Sequence, residues 1–131
     1  MGLPMAQSSM TELQSLVAAG TAAETNGQGP ALEVASLAGQ TVVLVLRVSS
    51  ALEQESLHVS IWGSQDAQNW GTVALFWFPQ VFEMGITPAA LDLRSRPELK
   101  FLQARWEVNR WGRGNPRPHF EFSLEVQPAG T

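Results

Sequence analysis

The sequence predicts an all-β fold, an antiparallel two-sheet sandwich of the jelly-roll type with an extended N-terminal arm. From Ala31 onward, Gly, Pro, Ser and Asn divide the chain into short segments. Most of these segments alternate apolar and polar residues with a period of two, which is the pattern of half-buried strands. The periodicity of amphipathic helices is weak throughout. Short strands separated by regularly spaced turns are typical of sandwiches and jelly rolls.

The composition supports one compact domain. The chain has 131 residues, of which 44% are hydrophobic and 15% charged, and its net charge is −4. That charged fraction lies below the roughly 25% usual for soluble domains, so much of the surface is expected to be uncharged or covered by a partner. The absence of cysteine excludes disulfides, thiolate metal sites and a cysteine nucleophile. The longest aliphatic run, residues 42–46, is too short to span a bilayer, so no membrane contact is expected.

Residues 1–30 are predicted to form the arm and residues 31–131 the sandwich. The first thirty residues contain no aromatic residue and two charged ones. Two interpretations remain open: a flexible terminus with one short strand near residues 13–17, or an arm that becomes ordered on a neighbouring subunit. The segment lacks the basic start and the long apolar core of a signal peptide, so no signal peptide is expected.

The strands of the sandwich are predicted in order along the chain. They cover residues 31–36, 41–49, 55–63, 71–78, 90–93, 100–109 and 120–127. Residues 41–49 are almost continuously apolar, which indicates a central strand. In the last strand Phe120 and Phe122 begin an apolar face, and Trp106 lies on the apolar face of the strand before it. A Ser-Arg-Pro-Glu segment at 95–98 predicts a single helical turn.

A hairpin motif joins two of these strands. Residues 64–70 read Ser-Gln-Asp-Ala-Gln-Asn-Trp. The side chains of Asp66 and Asn69 are expected to bond nearby backbone N–H groups and shape the turn. Ala67 stands where such a turn usually has glycine, so the sequence predicts no need for a positive φ at that residue.

The order of three segments resembles small β-sandwich proteins of tailed phages and prophages. The segments are this hairpin, Lys-Phe-Leu-Gln-Ala-Arg-Trp at 100–106, and the terminal Phe-Glu-Phe-Ser strand. The resemblance covers roughly residues 31–127, with Lys100 in place of an arginine and Phe101 in place of a tyrosine. It implies a structural or capsid-decorating protein located in the virion. The hairpin is also similar to that of discoidin-type jelly rolls, which bind sugars and lipids.

The sequence contains no enzymatic signature. His58 and His119 are its two histidines, and without cysteine they do not suffice for a zinc site. It has no nucleophile elbow and no recognisable Ser–His–Asp arrangement. Glu107, Glu121 and Glu125 alternate onto the polar faces of their strands, where solvated glutamates are expected. We therefore expect no catalysis, no cofactor and no metal.

Charge and aromatic residues are distributed unevenly along the chain. Residues 1–93 carry a net charge of −7 and residues 94–131 one of +3, and four arginines and two tryptophans lie within residues 105–118. Three interpretations remain open. They are local stacking inside the molecule, a head-to-tail subunit contact in which arginines meet the acidic half of a neighbouring copy, and nucleic-acid binding. The sequence pI of about 5.0 disfavours nucleic acid.

Trp77 lies in a strand that is bulky on both faces. Alternation places Phe76 and Phe78 on one face and Trp77 on the other, so the strand is either sandwiched between layers or exposed to a partner. Aromatic residues that line a sugar site show the same pattern, because pyranose rings stack on indoles. Core or surface placement stays open for three tryptophans: Trp62, Trp70 and Trp77.

These observations predict a non-catalytic structural protein, with phage-type capsid decoration or another virion role as the leading interpretation. Its partners are expected to be other copies of itself, or a capsid or shell protein. A carbohydrate-binding module and a bacterial surface or filament subunit remain alternatives. The predicted interaction residues are Trp77, Arg110, Trp111, Arg113 and Arg117.

Overall fold

The computed structural model describes residues 14–114 and 116–129 and has two antiparallel sheets packed against each other. This architecture confirms the predicted all-β sandwich. Within the described residues the helical content is one 3-10 turn, Ala35–Leu37. The strands are β1 (Gln14–Ala23), β2 (Gly27–Gln28), β3 (Leu32–Glu33), β4 (Thr41–Ala51), β5 (Glu55–Ser64), β6 (Phe76–Trp77), β7 (Gly85–Asp92), β8 (Phe101–Arg110) and β9 (Phe120–Pro128).

The strand order is that of a jelly roll. One sheet has the order β1-β9-β4-β7, and the other has the order β2-β8-β5-β6, with β3 also paired to β8. If β2 and β3 are counted as one interrupted strand, the pairs nest inside one another along the chain. They are β1 with β9, β2/β3 with β8, β4 with β7, and β5 with β6. This is the pairing of a long hairpin rolled into two sheets, the arrangement found in jelly rolls.

The rolled hairpin brings four connections to one end of the sandwich. They are the β1–β2, β4–β5, β6–β7 and β8–β9 connections, and the first three each contact the fourth. We call this the Arg/Trp end, because the β8–β9 connection carries Trp111, Arg113 and Arg117. The β5–β6 hairpin lies at the opposite end, beside the β7–β8 connection.

The core lies between the sheets and contains the residues that alternation placed there. Phe120 and Phe122 of β9 are fully buried. Trp106 of β8 packs edge-on against Phe122, with ring centroids 5.2 Å apart. Burial of such apolar surface is the dominant favourable contribution to folding. The period-two pattern therefore predicted the inner faces of these two strands correctly.

The N-terminal segment belongs to both sheets. β1 pairs with β9 and buries Leu16 and Val17, and β2 pairs with β8. Gly29 passes so close to β1 that a Cβ there would lie 2.6 Å from the carbonyl oxygen of Leu16. Residues 14–28 are thus part of the sandwich, where the sequence suggested an arm, and residues 1–13 lie outside the described residues. The outward residues of β1 are mostly small, so its composition resembles that of a linker although it fills an edge of the sheet.

Three other elements differ from the predicted ranges. The strand predicted over residues 71–78 is reduced to β6, because the hairpin turn extends to Gly71 and residues 72–75 form bends and irregular backbone. The strand predicted over residues 90–93 begins already at Gly85, and its Pro88 is tolerated because β7 is an edge strand. The predicted helix start is absent, since residues 95–98 form hydrogen-bonded turns and no helix.

Candidate contact surfaces

The Arg/Trp end carries an exposed aromatic pair formed by Phe82 and Trp111. Trp111 follows β8 directly, and its backbone N–H donates to the carbonyl oxygen of Gln54 at 2.9 Å. The Trp111 ring packs edge-on against Phe82 with centroids 6.4 Å apart, yet the two residues are 45% and 53% exposed. Leu52 and Met84 are exposed in the neighbouring connections. The exposed large apolar side chains gathered here make this end a candidate contact surface.

Arg110 makes hydrogen bonds to two connections of the Arg/Trp end. Its Nε donates to the carbonyl oxygen of Glu53 at 3.2 Å, and its Nη1 donates to that of Arg117 at 3.3 Å. The guanidinium thereby links the β4–β5 connection to the β8–β9 connection. Of the arginines predicted to meet a partner, Arg113 and Arg117 are exposed, whereas Arg110 is half-buried and serves these internal bonds.

Glu55 fixes the same two connections through a buried carboxylate. Its Oε2 accepts the backbone N–H of Leu52 at 2.6 Å, and its Oε1 accepts that of His119 at 2.8 Å, while the residue is only 1% exposed. Glu55 was not among the site residues predicted from the sequence. Its burial could have been predicted from its position, because Glu55 lies two residues before Leu57 and therefore on the same inward face of β5.

His119 adds a second link, between the β8–β9 and β1–β2 connections. Its Nδ1 lies 2.8 Å from a carboxylate oxygen of Glu24, and its Nε2 lies 3.6 Å from one of Glu121. Arg117 also approaches Glu24, at 3.9 Å. The hydrogen bond to Glu24 raises the pKa of His119 above its ordinary value of 6.5, and Glu121 acts in the same direction.

The raised pKa of His119 predicts that the protein loses stability as the pH rises. Because the folded-state pKa lies above the unfolded one, the stabilisation is complete below the unfolded value and disappears as the pH passes the folded value. The thermal unfolding midpoint of the wild-type protein should therefore decrease as the pH rises above 6.5, the ordinary pKa of histidine. His119→Gln keeps a polar side chain without the titration and should flatten this fall. Parallel wild-type and variant curves in thermal unfolding would contradict the assignment.

In the fold, charged residues of the acidic part of the chain (residues 1–93) lie next to charged residues of the basic part (residues 94–131). Arg47 pairs with Glu125 at 3.4 Å, and Arg117 lies near Glu24. Glu53 and Glu83 lie in connections at the Arg/Trp end, the same end as Arg113 and Arg117. This end therefore carries both signs of charge, and the acidic and basic parts of the sequence are not separated here.

A second surface lies on the outer face of the β2-β8-β5-β6 sheet. Ser60 stands at its centre, opposite Trp77 on one neighbouring strand and Arg105 on the other. The Arg105 guanidinium lies 4.2 Å above the ring of Trp62, whose indole N–H donates to Ser60 Oγ at 2.9 Å. Trp77 is 44% exposed and packs against His58 with ring centroids 4.5 Å apart. Of the tryptophans left open, Trp77 is therefore on the surface and Trp62 is half-buried beside it.

The β5–β6 hairpin has the turn chemistry that the sequence predicts. Asp66 Oδ1 accepts the backbone N–H groups of Gln68 and Asn69, each at 2.9 Å, and these bonds lower the pKa of Asp66. Asn69 Oδ1 accepts the N–H of Gly71 in the same way. The prediction for Ala67 is wrong, because this residue has a φ of +64°. The turn imposes the left-handed conformation on whichever residue stands there, although glycine adopts it with less strain.

Comparison with known proteins finds no match to a family model and none to a curated protein. In the part of the chain that the structure describes, no three His, Asp or Glu side chains are grouped closely enough to hold a metal ion. Among the same residues there is also no helix of the length and apolarity needed to cross a membrane.

Proposed function

We propose that this protein is a non-catalytic structural protein that associates with a second copy of itself through the Arg/Trp end. The observation that carries the proposal is the half-exposed Phe82–Trp111 pair at the Arg/Trp end of the sandwich. Aromatic residues and arginine dominate the binding energy of protein interfaces, and such anchors are found near the centre of the contact.

The hydrogen bonds within this end favour binding. Glu55 and Arg110 tie the β4–β5 connection to the β8–β9 connection by bonds to backbone groups. Surfaces that are ordered before binding lose less conformational freedom when the complex forms. The exposed side chains of Phe82 and Trp111 therefore present a preformed platform.

The charge distribution supports a two-fold contact between identical copies. In such a contact the same patch is used by both subunits, so the patch must be complementary to itself. Glu53 and Glu83 of one copy can face Arg113 and Arg117 of the other, and the reverse pairs form by symmetry. The β6 and β7 edges are less suited to association, because β6 has two residues and β7 contains Pro88.

The biological setting is proposed from the resemblance to phage and prophage sandwich proteins. Jelly rolls occur in viral capsids and in lectins, so the fold is compatible with capsid decoration but does not select it. Association of the isolated chain into closed dimers would support a decorating protein of a virion. Open fibres in electron micrographs would instead support a filament or surface subunit, because only a contact that does not close extends indefinitely.

The oligomeric state of the intact chain tests the proposal. Sedimentation velocity over a range of concentrations should reveal reversible association of the wild-type chain. A monomer at every concentration would contradict it.

A further inference from the structure

We propose that the groove on the outer face of the β2-β8-β5-β6 sheet binds an uncharged oligosaccharide, with Trp77 as the stacking platform. This site goes beyond the proposed association, because it lies on the sheet face and not at the Arg/Trp end. The groove has a volume of about 570 Å³, within the range of small-ligand sites. Its lining includes Gln28, Ser60, Trp62, Trp77, Arg105 and Glu107.

Trp77 offers a fixed aromatic surface. Its backbone is paired to β5 opposite Ser60, and its ring rests against His58, so the indole is positioned without a ligand. A pyranose ring presents a face of C–H groups that packs on an indole. Ordered aromatic groups with two side-chain torsions bind at low entropic cost.

The polar groups around Trp77 suit hydroxyl groups. A sugar hydroxyl both donates and accepts hydrogen bonds, so its site needs donors and acceptors close together. Arg105 supplies N–H donors, and Glu107 and Gln28 supply acceptor oxygens. Arg105 is held in place by stacking on Trp62 and by its Nε, which donates to Gln103 Oε1 at 3.1 Å.

The same features argue against other ligands. An extended peptide that adds to a sheet edge needs a long free strand, whereas β6 has two residues and Pro79 follows shortly after. Nucleic acid is disfavoured because Glu107 would repel phosphate groups. Among the groove residues Trp77 is the exposed large apolar one, so the surface lacks the apolar area of a protein interface. Arg105 and Glu107 carry opposite charges, which favours an uncharged ligand.

Titration of the intact chain with hexasaccharides of glucose, N-acetylglucosamine, mannose and galactose tests the proposal. Binding is followed by calorimetry and by the indole N–H signals in a nitrogen–proton correlation spectrum. We expect saturable binding of at least one neutral hexasaccharide and a shift of the indole signal that disappears in Trp77→Phe. Trp77→Ala should weaken this binding about tenfold or more. Trp111→Ala removes an equally exposed tryptophan elsewhere and should leave it unchanged.

Three outcomes would overturn the proposal. The first is that no neutral hexasaccharide binds, and the second is that Trp77→Ala leaves the binding intact. For the third, two charged probes, polygalacturonate and a single-stranded oligonucleotide, are titrated in parallel, and only these bind. A second measurement separates this site from the proposed association. Trp77→Ala should not change the sedimentation of the chain, so failure of sugar binding would leave the role of the Arg/Trp end standing.

Discussion

Replacing Phe82 and Trp111 together by serine is expected to abolish self-association while leaving the sandwich folded. Both side chains are about half-exposed in the single copy, so their removal takes away little of the core. At the centre of an interface each is expected to contribute about 2 kcal/mol or more. Loss of both then weakens association by about 4 kcal/mol, or roughly a thousandfold in the dissociation constant. Sedimentation equilibrium measures this change directly.

Trp77→Ser is the matched control for the Trp111→Ser substitution in this experiment. Trp77 is 44% exposed, against 45% for Trp111, and the chemical change is the same. It lies on the sheet face, so Trp77→Ser should associate like the wild-type chain. Equal loss of association in both variants would indicate a general effect of removing surface tryptophans. Retained association in the Phe82→Ser, Trp111→Ser double variant would exclude the Arg/Trp end as the contact.

Glu55→Ala is expected to lower the free energy of unfolding by about 3 kcal/mol. The substitution leaves the backbone N–H groups of Leu52 and His119 without their shared acceptor. Both hydrogen bonds are partly buried, so each donor left unsatisfied is expected to cost about 1.5 kcal/mol, in the lower part of the range of about 1–3 kcal/mol for buried donors. Because the carboxylate also holds the platform around Trp111, association should weaken as well. Urea unfolding gives the stability, and hydrogen exchange should show lost protection at the two amides.

Glu55→Gln separates the hydrogen bonds from the volume of the side chain. Glutamine has almost the same shape, but its amide NH₂ cannot accept a bond, so one of the two backbone donors stays unsatisfied. We expect about half of the loss caused by alanine, roughly 1.5 kcal/mol. If Glu55→Ala unfolds within about 0.5 kcal/mol of the wild-type protein, which is the range of neutral surface substitutions, the carboxylate does not hold these connections.

The inner faces of the long strands could be predicted from the sequence because they follow a local rule. Period-two alternation placed Trp106, Phe120 and Phe122 in the core, where the structure has them. The hairpin roles of Asp66 and Asn69 were also predictable, since these side chains bond to backbone groups two or three residues away.

Features that depend on which strands become neighbours could not be predicted in the same way. The stacking of Arg105 on Trp62 requires the register of β5 against β8, residues more than forty positions apart in the chain. The same applies to Arg110, whose bonds reach the carbonyl oxygen of Glu53 in a different connection. A residue of the predicted contact thus proved to hold the end together, and the pairing of Trp111 with Phe82 became visible only in the fold.

Mixing two charge-reversed variants tests the two-fold contact most directly. One variant carries Arg113→Glu and Arg117→Glu, and the other carries Glu53→Arg and Glu83→Arg. Each alone should stay monomeric, because identical copies then present like charges to each other. An equimolar mixture restores opposite charges on both sides and should form a mixed dimer in sedimentation velocity. Dimers in either separate variant, or none in the mixture, would contradict association through the Arg/Trp end.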